Sequence, residues 1–216
     1  MVDDRLFESL RYEYTAGALS ETEAPGDPFA LFREWFADMV SRSRFEPNAM
    51  TLSTADGEGM PSSRTVLLKS VDEAGFVFFT NYRSRKGREL AANPRAALLF
   101  YWPERQRQVR VAGLVNRVPA AESDDYFRSR PLESRLGAWA SDQSDPIPGR
   151  HTLTERLEHF RREFADGDVP RPGWWGGYRL APVEMEFWQG RPNRLHDRLV
   201  YTRGEGGAWR RQRLAP

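Results

Sequence analysis

Arg194, His196 and Arg198 alternate along the segment Arg194-Leu195-His196-Asp197-Arg198. On a strand, alternate side chains leave the same face. The spacing therefore predicts two guanidiniums and an imidazole side by side, with Leu195, Asp197 and Leu199 on the other face. Three cationic or proton-switchable groups in a row repel one another unless an anion or an electron-rich ring covers them. The polar face of an edge strand also fits, but the spacing favours a ligand. A second cluster, Thr80-Asn81-Tyr82-Arg83-Ser84-Arg85-Lys86, ends a strand, turns and opens a helix. Free helix N–H groups, the helix dipole and side-chain cations together suit a phosphate. Each charge-assisted hydrogen bond there contributes about 1.5–3 kcal/mol. A solvated basic loop accounts for the same residues equally well. Tyr126 and Arg130 stand four apart on a predicted helix and share a face. With Ser134 in the first turn of the next helix they form a cup for a second phosphate, although packing plus solvation is the commoner use of such a pair. Arg64 and Lys69 lie five apart on one predicted strand, on opposite faces unless the strand twists or bulges.

Other chemistries are excluded by what the chain lacks. It has no Gly-rich dinucleotide fingerprint, no Walker loop and no nucleophile elbow. With no cysteine, disulfides, thiolate nucleophiles and Cys-based zinc sites fall away. His151, His159 and His196 lack the spacing of a helical zinc pair, so no metal is expected. An enzyme built from these residues needs an organic cofactor for the difficult step. The net charge of +1 does not indicate a nucleic-acid partner. No run of eighteen apolar residues exists, which argues against a membrane span. Asp3, Asp4 and Glu8 interrupt the first residues, unlike a signal peptide, so a cytoplasmic protein is expected. Of 32 basic residues, only Lys69 and Lys86 are lysines. They are candidates for contacts that need a compact ammonium and not a planar fork.

The elements that must position these residues follow from periodicity. Helical character over 5–14 precedes a polar stretch to Gly26. Asp27 is a predicted N-cap with Pro28 at the first helical position, and Phe29, Leu31, Phe32, Trp35, Phe36, Met39 and Val40 recur at helical spacing. Strands are predicted over 50–55, 62–71 and 76–81, then a helix over 84–93 limited by Pro94, then strands over 95–102 and 107–117. Helices follow over 120–130, 133–140 and 152–166, and 178–214 reads as three strands turning at Gly190 and at 204–207. Short links between strands predict an antiparallel meander in an α+β fold, with a sheet that closes into a barrel.

In one order along the chain stand Arg64-Thr65-Val66-Leu67-Leu68-Lys69, Ser84-Arg85-Lys86, Arg107-Gln108-Val109-Arg110 and Leu136-Gly137-Ala138-Trp139. Gln143-Ser144, Trp174-Trp175-Gly176-Gly177, Glu186-Phe187-Trp188-Gln189-Gly190 and Arg194-Leu195-His196-Asp197-Arg198 complete the set. Together they resemble the pyridoxine (pyridoxamine) 5′-phosphate oxidase family over nearly the whole chain. The resemblance implies a homodimer of antiparallel split β-barrels with flanking helices and FMN between the subunits. It also implies a mobile N-terminal segment over 1–26 and a single FMN-binding domain over 27–216. Arg64, Arg85, Lys86 and Ser144 would hold the FMN phosphate. Lys69, Phe79, Thr80 and Gln108 would line the rest of the flavin site with Gln143, Trp188 and Arg198. Lys69, Tyr126, Arg130 and Ser134 would bind the substrate phosphate. Arg194 and His196, as catalytic residues, would clasp the pyridine ring with Arg11 and Tyr14 and help manage charge and the departing proton. The implied reaction moves a hydride from the 4′ carbon of pyridoxine or pyridoxamine 5′-phosphate to FMN, giving pyridoxal 5′-phosphate. Dioxygen takes the electrons on and leaves as hydrogen peroxide. Two alternatives are a related split-barrel flavin oxidase of phenazine assembly and a non-catalytic flavin or pyridoxal-phosphate carrier.

Overall fold

The predicted N-cap forms: Asp27 Oδ1 accepts a hydrogen bond from Phe29 N at 3.0 Å and opens helix α1 (Pro28–Arg42). Residues 12–43 and 46–216 are described by the computed structural model. The helical expectation over 5–14 lies outside these residues up to 11, and Tyr12, Glu13 and Tyr14 are not helical. After α1 come β1 (Ala49–Ala55), β2 (Pro61–Leu67), β3 (Ser70–Asp72), β4 (Gly75–Asn81) and α2 (Arg85–Ala92). Then follow β5 (Arg95–Trp102), β6 (Arg107–Arg117), α3 (Ala120–Ser129), α4 (Leu132–Ala140) and α5 (Arg150–Glu163). The chain closes with β7 (Trp175–Gln189), β8 (Asp197–Arg203) and β9 (Trp209–Arg213).

Two compact units result, and β5, β6 and β7 contribute residues to both. The larger unit holds 49–98 and 112–182, with strand order β2-β1-β5-β6-β7-β4-β3. Its pairings β1–β2, β3–β4 and β4–β7 are antiparallel, the last setting Phe79 opposite Gly177 and Thr80 opposite Gly176. Strand β1 buries every second residue, as a sheet with one face on a core requires. Phe127, Leu136, Val169 and Trp175 form a core cluster of this unit, and the α5 stripe of Leu157 and Phe160 packs against it.

The other unit holds the residues up to 48, 99–111 and 183–216. Here β8 pairs with β7 and β9 with β8, both antiparallel. The apolar face of α1 is buried at Phe29, Leu31, Phe32, Trp35 and Met39, while Phe36 is half-buried and Val40, also expected there, is exposed. Phe32 meets Phe100 at 5.1 Å between ring centroids, Trp35 meets Phe187 at 5.3 Å, and Phe187 meets Tyr201 at 5.6 Å. Edge-on aromatic contacts of this kind add about 0.5–1.5 kcal/mol each beyond the area they bury. Among the described residues no helix is long and apolar enough to cross a membrane, and no His/Asp/Glu group could hold a metal.

Two sequence expectations are corrected. The strand predicted over 62–71 is broken: β2 ends at Leu67, β3 starts at Ser70, and between them Lys69 N donates to Val77 O at 2.8 Å. Arg64 and Lys69 therefore do not share a strand, and the opposite-face argument does not apply. The segment from 194 to 198 is not a regular strand either. Pro192–Arg194 forms a 3₁₀ turn, Asn193 (φ 57°) and Arg194 (φ 61°) are left-handed, and β8 begins only at Asp197. Pro192 fixes its own φ and offers no N–H to a ladder, so alternation cannot run back through it. Leu195 is consequently 68% exposed instead of facing a core.

Candidate active site

The larger unit contains a cavity of about 670 Å³ whose polar lining is gathered from well-separated parts of the sequence. Lys69 reaches it from the break after β2, Thr80 from the end of β4, Lys86 from the first turn of α2, Arg130 from the end of α3 and Ser134 from the first turn of α4. Three cations line this cavity and no carboxylate does. Its flat wall is a stack of three rings. Phe79 lies 3.9 Å from Tyr126 and 5.6 Å from Trp175 between centroids, with interplanar angles of 19° and 14°. A glycine makes this wall possible: a Cβ on Gly177 would stand 2.8 Å from the Phe79 ring.

The cations lack partners of opposite charge in the cavity. Lys86, buried, donates from Nζ to Gln143 Oε1 at 2.9 Å, Thr80 Oγ1 at 3.2 Å and Ser84 Oγ at 3.4 Å, all neutral oxygens. Burial, with the Arg64 charge, pulls its pKa down to about 8 against an opposing pull from Glu89. Arg130 lies over the Trp175 ring at 4.6 Å, and its Nη1 is buried without a hydrogen-bond partner. A buried guanidinium nitrogen left unpaired is costly, and an anion at this position relieves it. Lys69 Nζ sits 5.9 Å from the Tyr126 ring centre. The arrangement suits a ligand with a flat ring system and negatively charged ends.

A second pocket, about 560 Å³, belongs to the smaller unit. Tyr14, Gln108, Trp188, Arg194 and His196 line it, joined by Arg191. Tyr14 stands edge-on to Trp188 at 5.6 Å and to His196 at 5.4 Å. This contact needs Gly190, where a Cβ would lie 2.8 Å from the tyrosine ring. Arg191 N donates to His196 Nδ1 at 3.1 Å. With Nδ1 accepting, the neutral imidazole carries its proton on Nε2. Burial and the nearby Arg194 lower the His196 pKa, while Asp197 opposes them. At neutral pH His196 is therefore an uncharged donor at Nε2.

Both halves of the sequence match known families. The model described as pyridoxamine 5′-phosphate oxidase matches residues 37–162, and that of the pyridoxine 5′-phosphate oxidase C-terminal dimerisation region matches 175–216. The chain belongs to the pyridoxamine 5′-phosphate oxidase family. It is 57% identical to the pyridoxine/pyridoxamine 5′-phosphate oxidase of Microcystis aeruginosa, over 96% of this chain and 97% of that one. To the protein of the same name from Pseudomonas paraeruginosa it is 58% identical, with the same coverage. Among solved structures, PhzG from Burkholderia lata 383, in complex with tetrahydrophenazine-1-carboxylic acid, superposes with a TM-score of 0.85. It is 36% identical, over 92% of this chain and 98% of that one. A pyridoxamine 5′-phosphate oxidase-related, FMN binding protein from Nostoc punctiforme has a TM-score of 0.69 at 16% identity and shares the fold. The α+β antiparallel split-barrel expectation thus holds for this member of the oxidase family.

Within this family framework the structure sorts the expected site residues into groups. Lys69, Phe79, Thr80, Lys86 and Gln143 come together in the larger cavity with Tyr126, Arg130 and Ser134. Tyr14, Gln108, Trp188, Arg194 and His196 come together in the smaller pocket. Arg64, Arg85, Ser144 and Arg198 are not among the residues lining either. Arg64 and Arg85 both bind Glu89, and Arg198 Nε donates to Glu186 Oε1 at 2.7 Å. Ser144 is exposed in a left-handed turn (φ 79°). Arg11 lies outside the described residues. Sequence reasoning missed Arg191, whose contribution is a main-chain N–H that no residue type announces. It also missed Glu89, although a lone acid four residues after Arg85 on a basic helix is a visible signal.

Proposed function

We propose that this chain oxidises pyridoxine 5′-phosphate or pyridoxamine 5′-phosphate to pyridoxal 5′-phosphate with FMN as cofactor, dioxygen as acceptor and hydrogen peroxide as a product, the amine substrate also consuming water and releasing ammonia. The observation that carries the reading is the cavity with three cations, no lining carboxylate, a buried unpaired Arg130 nitrogen and a stacked aromatic wall. When bound, FMN supplies the two-electron acceptor for the carbon–hydrogen bond that breaks. Lys86, Thr80 and Gln143 hold the flavin, with Arg64 and Arg85 at its phosphate. Lys69, Tyr126, Arg130 and Ser134 grip the substrate phosphate. Arg194 and His196 orient the pyridine ring, His196 by donating from Nε2 to an oxygen on that ring. Held that way, His196 is not a base at Nε2, and its part is alignment and charge stabilisation. Gripping the phosphate, a group that takes no part in the bond changes, uses binding energy to align the reacting groups, so the unphosphorylated vitamer reacts poorly. The working unit in this proposal is a cytoplasmic homodimer with FMN at the subunit interface, a reading supported by the match to a dimerisation region.

The likeness to PhzG sustains a second reading, oxidation of a reduced phenazine carboxylate. The Lys69, Tyr126, Arg130 and Ser134 cup speaks for a phosphorylated substrate instead. The deciding experiment is an aerobic assay of FMN-loaded protein with pyridoxine 5′-phosphate, following pyridoxal 5′-phosphate and peroxide together. Equal yields of both support the proposal. Flavin binding without either product moves the phenazine-type oxidase or a non-catalytic carrier ahead.

A further inference from the structure

The most heavily hydrogen-bonded carboxylate among the described residues of the larger unit lines neither of the two pockets. Glu89, on α2, is buried to 5% exposure and accepts from four side chains. Arg85 Nε reaches Oε1 at 2.8 Å, Arg64 Nη2 reaches Oε2 at 3.1 Å, Ser62 Oγ contacts both oxygens at 2.8 and 2.7 Å, and Thr54 Oγ1 bonds Oε2. Burial alone would raise its pKa; the hydrogen bonds from Thr54, Ser62, Arg85 and Arg64 outweigh that and hold it at about 2. The carboxylate is thus charged throughout the physiological range. It draws together two arginines that come from β2 and from the first residue of α2. Next to Arg85 in sequence, Lys86 opens into the cavity.

We propose that Glu89 is a positioning residue for the phosphate of the flavin: it fixes Arg64 and Arg85 beside Lys86 so that three cations meet one dianion. The charge balance supports this. Arg64, Arg85 and Lys86 carry three positive charges against one on Glu89, which leaves two for a phosphate. Arg85 gives only Nε to Glu89 and keeps both Nη groups for another acceptor. Arg64 is tied at four points, to Glu89, Ser62 and Thr54 and to the Leu52 carbonyl, so its guanidinium has little freedom left to lose on binding. Without the carboxylate the three cations repel one another and splay. The ring-binding wall of Phe79, Tyr126 and Trp175 makes no use of Glu89.

This inference rests on the FMN reading above, and its test separates the two. Apo protein is titrated with FMN and with riboflavin, which lacks the phosphate, by quenching of flavin fluorescence. In Glu89→Gln the FMN dissociation constant is expected to rise tenfold or more, while that for riboflavin stays within twofold. Glu89→Asp keeps the charge with a shorter reach, and a smaller rise for FMN alone is expected; it serves if Glu89→Gln does not fold. Equal weakening of both flavins in the folded variants would show a purely structural role and overturn the proposal, as would no change for either. Failure of the unaltered protein to bind FMN would instead overturn the cofactor reading itself.

Discussion

His196 and Lys86 show how a side chain's neighbours, more than its type, set what it can do. The alternation of Arg194, His196 and Arg198 drew attention to an imidazole that the structure does place in a pocket, but for a different reason. A left-handed turn, not a strand face, brings Arg194 and His196 to one pocket, and the Arg191 N–H sets the proton on Nε2. His196→Leu removes that donor and should lower kcat/KM by about 10- to 150-fold, the value of one hydrogen bond to a charged group at about 1.5–3 kcal/mol. His196→Gln retains an N–H and should recover part of the loss in the same assay. Because the folded pKa is depressed, protonation of His196 should occur only below its ordinary value near 6.5. Imidazole ¹⁵N shifts, resolvable with three histidines, should report an Nε2–H tautomer at pH 7. For Lys86 a shift in the same direction bears on binding. Its folded pKa of about 8 lies below the ordinary 10.5, so the free site loses its charge as pH rises through 8. FMN affinity should fall by up to about tenfold per pH unit above that point. Lys86→Arg, which holds its charge, should flatten the profile measured by the same fluorescence titration.

At the scale of elements, the start of α2 is the most exposed to a single change. Ser84 is fully buried, its Oγ accepts from Gly87 N at 3.3 Å, and it donates to Asn81 O at 2.7 Å. Ser84→Ala removes the N-cap, at about 0.5–2 kcal/mol, and leaves the Asn81 carbonyl short of a partner. A fall in thermal midpoint of several degrees is expected by calorimetry, with FMN affinity reduced because Lys86 stands two residues on. The sequence showed a helix starting near here, the α1 cap at Asp27 and most strand limits, since these depend on neighbouring residues. The break between β2 and β3 was hidden in Val66-Leu67-Leu68-Lys69-Ser70-Val71, an unbroken strand-like run. Local propensity has no view of Lys69 N bonding to Val77 O instead of continuing the β2 ladder. That break is what brings Lys69 into the cavity.

For the whole molecule, the cavity's uncompensated charge links ligand binding to stability. FMN binds the folded chain and not the unfolded one, so at 100 times its dissociation constant it should add about 2.7 kcal/mol. For a chain of this size that is a rise in melting temperature of roughly 5–10 °C. Differential scanning fluorimetry should show the shift for FMN and a smaller one for riboflavin, while a ligand-insensitive midpoint would contradict the cofactor assignment. Sedimentation analysis should return twice the mass of one chain, as the proposed homodimer requires.

The amino-acid sequence by itself determined the α+β class, the α1 cap at Asp27, most of the apolar face of α1, the absence of cysteine chemistry and, through its motifs, the family. Each of these depends on residue types at short separations, where propensity and periodicity act directly. Tertiary structure alone decided which cations share a cavity, that Arg64 and Arg85 turn to Glu89, and which nitrogen of His196 carries the proton. Those outcomes depend on hydrogen bonds and buried charges between residues up to tens of positions apart, or on main-chain groups common to every residue. Their energies exist only once the chain has excluded water around them.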